Sequence, residues 1–338
     1  PQASIQFFAL LKKYNDCYKI TWNAFVSKSK NGTFLFNRSF MDYHKHVFKD
    51  SSFLIYKNNK LISLFPANII DNKIYSHNGL TYGGLVLSKE SKFNDVLNVL
   101  NVLLKELHEN NIVSVTFKQT PSIYYLTPSE ELNFILHKLN AKLLRRDLMS
   151  VIRTSDYSLS KDRLNGFKRG LKHNLVVKEV SNFDDFWNIL LVPNLKVKYG
   201  VSPVHTLTEI TLLKSLFKNN IRQFNIYYND NIIAGTTIFE TKTTAHVQYT
   251  ASNDLKNKTG SLDFLFYSLI SDQFKNKLFF DFGISSNPKN GKLNDGLLYW
   301  KEGFGSRSVT QDFYELDTSG YKQINTFFDT KDFYDLLD

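Results

Sequence analysis

Cysteine is nearly missing from this sequence: Cys17 stands alone in 338 residues. A single thiol excludes an intrachain disulfide framework and any zinc site built from several thiolates. No apolar run approaches the ~20 residues that cross a bilayer. No charged-then-apolar leader with a small-residue cleavage site opens the sequence, so a cytoplasmic protein is expected. No His-x-x-x-His pair stands beside a suitable acid. The run Asp42-Tyr43-His44-Lys45-His46 is flanked by lysines and reads as surface, so no metal is expected. A Walker loop, a Gly-x-Ser-x-Gly elbow and a dinucleotide fingerprint are absent. The aromatics fall in no RNP-like pattern, which argues against direct reading of DNA or RNA. Acids are also short, 32 against 42 lysines and arginines, leaving a formal charge of +10. That surplus favours anionic partners (phosphorylated small molecules, a membrane surface, nucleic acid), or it serves solubility alone.

Apolar material, by contrast, is plentiful: 42% of the chain is hydrophobic and 15% aromatic, ample for packed cores. Single cores rarely grow beyond ~250 residues, so the length predicts two domains. An internal repeat points the same way. FLIYKNNKLIS from Phe53 matches FNIYYNDNIIA from Phe224 at one constant offset: Phe53 with Phe224, Ile55 with Ile226, Tyr56 with Tyr227, Asn58 with Asn229, Ile62 with Ile233. Each reads as a β-hairpin around an Asn-rich turn. In the first half a strand near Lys73 to His77, the loop HNGLTYGG, a helix carrying Val96, Leu97, Leu100, Leu103, Leu104 and Leu107, and the strand IVSVTF follow. In the second half the strand AHVQYTAS, the loop NDLKNKTG, a helix carrying Leu262, Leu265, Phe266, Leu269 and Ile270, and the strand LFFDFGI follow, with Ser261 as the expected N-cap. This order predicts an α/β fold with mixed sheets, whose helix N-termini and preceding loops can hold an anion. The boundary is expected near residue 150, in LLRRDLMSVIRTS, dividing the chain into 1–150 and 151–338.

Three stretches carry a resemblance to a known family: RLNGFKRGLKHNLVVKEV from Arg163, the strand–loop–helix from Ala245 to Phe274, and FFDFGIS followed by Trp300-Lys301-Glu302-Gly303-Phe304-Gly305. They resemble the FemABX-like branch of the GNAT superfamily, and SHNGLTYGGLV resembles that group's small-residue turn lining the acceptor cleft. A further likeness is to acyltransferases of bacterial surface-polysaccharide clusters. The resemblance implies two tandem GNAT-like domains with a cleft between them. It also implies transfer of an acyl or aminoacyl group to an amine, in cell-envelope biogenesis. The sequence departs from the acyl-CoA pattern Arg/Gln-x-x-Gly-x-Gly/Ala, because it reads Lys256-Asn257-Lys258-Thr259-Gly260-Ser261 with one glycine. Its backbone N–H groups and lysines could still cradle a pyrophosphate.

The candidate residues follow. The resemblance implies that Lys301 acts at the reacting carbonyl, where a fixed cation would stabilise the charge that develops on oxygen. Lys301 otherwise reads as lying in buried strand and tight turn, and could instead pair with Asp281 or Asp295. Asp281 is a candidate general base or an orienting partner for Lys301. His205, His77 and His246 could each take a proton from an attacking amine, or be structural. Alternation places His246 and Gln248 on one face, with Gln248 lining the cleft. On a helical wheel Lys161, Lys168 and Lys172 form a stripe beside the apolar stripe of Leu164, Phe167 and Leu171. That stripe, with Arg163 and Arg169, could grip phosphate, or be a solvated face. Tyr82 is a candidate for the acceptor cleft, and Lys256, Lys258, Thr259, Gly260 and Ser261 for the donor.

The reading is therefore a cytoplasmic N-acyltransferase. Its acceptor is expected to be a nucleotide- or lipid-linked amino sugar, and its donor acyl-CoA, with peripheral contact at the inner membrane. One alternative is an aminoacyl-tRNA-dependent transferase of the Fem type, and another a non-catalytic binding protein for glycan assembly.

Overall fold

A computed structural model describes residues 9–324. The described chain forms two compact units. One runs to Arg146 and resumes at Gln311; the other is Asp147–Thr310.

In the first unit the strands are β1 (Ala9–Lys13), β2 (Phe53–Lys57), β3 (Lys60–Phe65), β4 (Asn68–Ile70), β5 (Lys73–Tyr75), β6 (Val86–Leu87) and β7 (Ser114–Lys118). β1, β2, β3 and β6 make one antiparallel sheet. β4 pairs with β5, and β5 runs parallel to β7. The expected helix is Phe93–Glu109, whose leucines and valines pack with Phe65, Phe117 and Leu136 into one core.

The second unit contains β8 (Lys142–Arg153) from Asp147 onward, β9 (Val177–Val180), β10 (Ile221–Tyr228), β11 (Asn231–Glu240), β12 (Thr244–Ser252) and β13 (Phe279–Ile284). They lie in the order β8-β13-β12-β11-β10-β9. Only the β12–β13 pair is parallel within this order. The helix Ser261–Ser268 covers one face and buries Leu265 and Phe266 against Phe224, Phe280 and Phe282. Each such side chain contributes about 1.5–3 kcal/mol of burial.

Both predicted hairpins are present, as β2–β3 and β10–β11. Their turns put Asn58 and Asn59 at φ 49° and 61°, and Asn229 and Asp230 at φ 48° and 61°. Two consecutive left-handed residues match the twist of a two-residue hairpin, and Asn and Asp tolerate that region best after glycine. Each hairpin carries its register shift at the matching place, Ile55/Tyr56 and Ile226/Tyr227.

The last strand departs from the expected 151–338 division. In β14 (Arg307–Asp317), Phe313–Asp317 pairs antiparallel with β7, and Leu316 and Ile324 join the first unit's core. The first unit is thus discontinuous in sequence. Both crossings fall inside strands, β8 and β14, where no Pro/Gly/Ser linker would mark them.

Candidate functional site

β12 and β13 stay paired for only three positions: Thr244 with Phe279, Ala245 with Phe280, His246 with Asp281. Beyond that, β13 turns through Gly283 at φ +70° and pairs with β8 at Ile284 and Met149. β12 bulges at the same level. Thr237 faces Tyr249 and Ile238 faces Val247, so Gln248 is the extra residue. The bulge breaks the alternation assumed for His246 and Gln248, as bulges re-aim side chains. The Gln248 side-chain oxygen is buried and has no hydrogen-bond partner.

Asp281 is fully buried at the fork. One carboxylate oxygen accepts from His246 Nδ1 at 2.7 Å and the other accepts from the Gly283 N–H at 2.7 Å. An ionised carboxylate only accepts, so Nδ1 carries the proton and Nε2 keeps its lone pair when the ring is neutral. A Cβ on Gly283 would sit 3.5 Å from His246 Cε1, which places the ring against that turn.

Lys301 completes the cluster. It lies in the last turn of a helix, Asp295–Glu302, and not in a strand and tight turn. The Asn294 side chain caps that helix by accepting from the Leu297 N–H. Trp300 and Phe304 draw this segment into the core beside Phe266 and Phe282, which leaves Lys301 4% exposed. Its Nζ donates to the Gly283 carbonyl at 3.0 Å and the Ile284 carbonyl at 2.7 Å. Burial pulls its pKa down from 10.5 to about 8, against the opposing charge of Asp281. Two of its three protons are committed to the end of β13, and one remains for another acceptor.

A pocket of about 430 Å³ is lined in part by Thr250 on β12 and by Trp300, the residue before Lys301 in the chain. Arg163, Arg169 and Lys256 give it positive charge; Leu262, Leu297 and Trp300 give it an apolar wall. Asp263 ties the wall together: it accepts from Arg163 Nη1 at 2.5 Å and from Trp300 Nε1 at 3.1 Å. Burial raises the Asp263 pKa, and the Arg163 charge opposes that shift. Arg163 Nε and the Ser261 hydroxyl are buried without partners.

The helix Lys161–Lys172 lies differently from the wheel prediction. Its buried residues are Gly166 and Gly170, while Leu164 and Leu171 are exposed. Added Cβ atoms at the two glycines would lie 1.7 Å from Asp263 and 2.6 Å from Phe264, so this face packs directly on the helix Ser261–Ser268. Glycines four apart set the buried face, and the leucines are displaced from it. Lys161, Lys168 and Lys172 consequently face solvent, while Arg163 and Arg169 reach the pocket.

The expected donor loop is a helical turn, Lys256–Thr259. Its Thr259 and Gly260 amides return to the Leu255 and Lys256 carbonyls, so they are not free to cradle a pyrophosphate. Gly260, at φ +68°, takes the cap position expected for Ser261, which becomes the first helical residue. Lys256 lines the pocket, Lys258 is exposed, and the Thr259 hydroxyl donates to Leu255.

His205 is set apart from the fork's hydrogen bonds. It is buried, with Nδ1 2.6 Å from the Tyr249 hydroxyl, and its carbonyl accepts from Trp187. In the first unit Tyr82 is buried too: its hydroxyl donates to Thr33, and its ring lies on Tyr124. His44, read as surface, is buried between the carbonyls of Met41 and Gly79. No group of three or more potential metal ligands is found among the described residues. The roles of Asp263 and Trp300 in the pocket had no signal in sequence, because Asp263 lies 100 residues from Arg163 and 37 from Trp300.

No profile of a known protein family matches the chain, and no curated protein matches it. Solved structures do. The chain is similar to FemX, with a TM-score of 0.67 at 10% identity over 93% of this chain and 100% of that one. It is similar to L-PGS from Bacillus licheniformis, with 0.56 at 9% identity over 90% and 92%. It is also similar to a tandem GNAT protein from the clavulanic acid biosynthesis pathway, with 0.51 at 8% identity over 92% and 98%. The fold is therefore FemX-like, made of two GNAT-like domains.

Proposed function

We propose that this chain transfers an acyl or aminoacyl group to an amine, with the reaction centre in the second unit. The observation that carries the reading is the buried Lys301 ammonium at the β12–β13 fork, beside the His246–Asp281 pair. Attack of an amine on an ester or thioester carbonyl forms a C–N bond and puts negative charge on the carbonyl oxygen. The third Lys301 proton would meet that oxygen. His246 Nε2 would take the amine's proton, with Asp281 holding the ring, and would return it to the departing thiol or hydroxyl as the C–S or C–O bond breaks. Arg163, Arg169 and Lys256 would hold the donor's phosphates through side chains. FemX and L-PGS as fold relatives support an acceptor from the cell envelope, and an amino sugar on a nucleotide or lipid carrier suits a basic protein.

One observation favours the aminoacyl-tRNA donor over acyl-CoA: the helical turn Lys256–Thr259 removes amides that a pyrophosphate cradle would use. The test is thermal-shift binding with CoA, acetyl-CoA, aminoacyl-tRNA and nucleotide-linked amino sugars, followed by a transfer assay with any binding pair. A ligand of the native state raises the denaturation midpoint by mass action. Transfer that collapses with RNase identifies the tRNA donor, and a saturable CoA shift with RNase-resistant transfer identifies the thioester. Binding of sugars with no transfer from either donor would make the chain a binding protein.

A further inference from the structure

The helix Val192–Tyr199 ends in an exposed apolar projection. Val197 is 85% exposed, Tyr199 66%, Val201 51% and Val204 79%. These side chains are held outward by anchors on both sides. Before them, Leu190 and Leu191 are buried and the Asn194 side chain donates to the Ser252 carbonyl at 2.9 Å. After them, buried His205 is fixed on Tyr249. The helix stops at Gly200, at φ +65°, which turns the chain into the loop. Exposed Lys196 and Lys198 alternate with the apolar residues, and from 186 through 208 there is no aspartate or glutamate.

We propose that residues 196–204 form a docking surface for an anionic lipid bilayer. Isolated apolar residues on a surface need no explanation, but four on one anchored projection do. Valine and tyrosine side chains would enter the headgroup region, and the lysines would keep their ammonium groups among lipid phosphates while their stems lie along the acyl boundary. The acid-free stretch complements a negative leaflet. A second copy is the poorer occupant, because a two-fold contact would set Lys196 and Lys198 against their own counterparts. Vesicle binding by this surface requires neither Lys301 nor any donor, so it stands or falls separately from the transfer reaction.

The test is flotation of the purified chain with phosphatidylcholine vesicles, with and without about a third of phosphatidylglycerol. The chain should float with the anionic vesicles only. Val197→Asp/Val204→Asp and Lys196→Glu/Lys198→Glu should each weaken that binding by about tenfold or more. Both pairs are solvent-exposed, so the thermal midpoint should not move. Tyr199→Trp should show a blue-shifted emission on adding anionic vesicles. Failure to float overturns the proposal, as does flotation unaffected by both double variants, which would assign it to the overall charge of +10. A concentration-dependent dimer abolished by Val197→Asp/Val204→Asp, with no vesicle binding, would assign the surface to self-association.

Discussion

The two units place the same hairpin before a parallel strand pair, and they finish that pair in opposite ways. In the first unit, β5 and β7 part after Tyr75 and Thr116, and the loop after β5 fills the gap. Ser76 N–H donates to Thr116, Gly83 N–H donates to Lys118, and the Thr120 hydroxyl donates to the Gly83 carbonyl. His77 is buried in that loop, and burial pulls its pKa down to about 3. The Lys118 Nζ also donates to the Leu80 carbonyl of that loop, and His77 Nδ1 accepts from the Gly79 N–H, so these side chains help close the loop on itself. In the second unit the Gly283 carbonyl, level with that of Lys118, and the Ile284 carbonyl after it are met by a lysine side chain, and a histidine held by aspartate stands beside it. Under the proposed function, the cation and the base at the second unit's fork act on substrate instead. A repeated fold therefore does not imply a repeated site.

The largest expected effect comes from breaking the second unit's fork. His246→Gln should lower turnover by about two to four orders of magnitude, the range for a lost general base. Steady-state kinetics on the purified variant would read this directly, and wild-type turnover would reduce His246 to a structural residue. Lys301→Met should cost about two orders of magnitude, as for one lost oxyanion donor. It should also lower the denaturation midpoint, because two buried carbonyls lose their donor at about 1–3 kcal/mol each. Turnover per folded molecule, not yield, is the quantity to compare.

Smaller effects sharpen the contrast. Arg169→Gln combined with Lys256→Gln should raise the donor KM by about tenfold with kcat retained, because these side chains contact the donor away from the reacting bond. Lys168→Gln with Lys172→Gln on the solvent face should leave that KM unchanged. In the first unit, His77→Gln should leave kcat unchanged. His77 has a folded pKa below its unfolded value of 6.5, so the unfolded chain binds the extra proton between about 6.5 and about 3. Stability should therefore fall as pH drops through that window, and His77→Gln should flatten the fall, read as urea midpoints against pH.

Local signals made most of the fold legible in sequence. The Asn-rich turns named both hairpins, and the leucine spacing named Phe93–Glu109. What stayed hidden depended on distant partners. The return of β14 to the first unit depends on pairing with β7, about 200 residues earlier. The basic helix was read from its leucines, but Gly166 and Gly170 decide its face, because contact with Asp263 and Phe264 needs the missing side chains. Within the candidate site, Lys301 and Asp281 were picked out by the resemblance their segments carry, and Lys301 also by its place among aromatic residues and glycines. Their link to His246 required the parallel register, which no spacing in the sequence encodes.

The most direct test of the central claim is the pH dependence of kcat/KM for wild type and Lys301→Arg, with the donor and acceptor that the binding panel identifies. Lys301 loses its charge as pH rises through about 8. Wild-type activity should therefore fall on the alkaline side by about tenfold per pH unit. Arginine stays protonated, so a folded Lys301→Arg variant should carry that limb to higher pH. Comparing the two enzymes cancels the acceptor's own ionisation. An alkaline limb at the same pH in both would contradict the assignment of Lys301 to the reacting carbonyl.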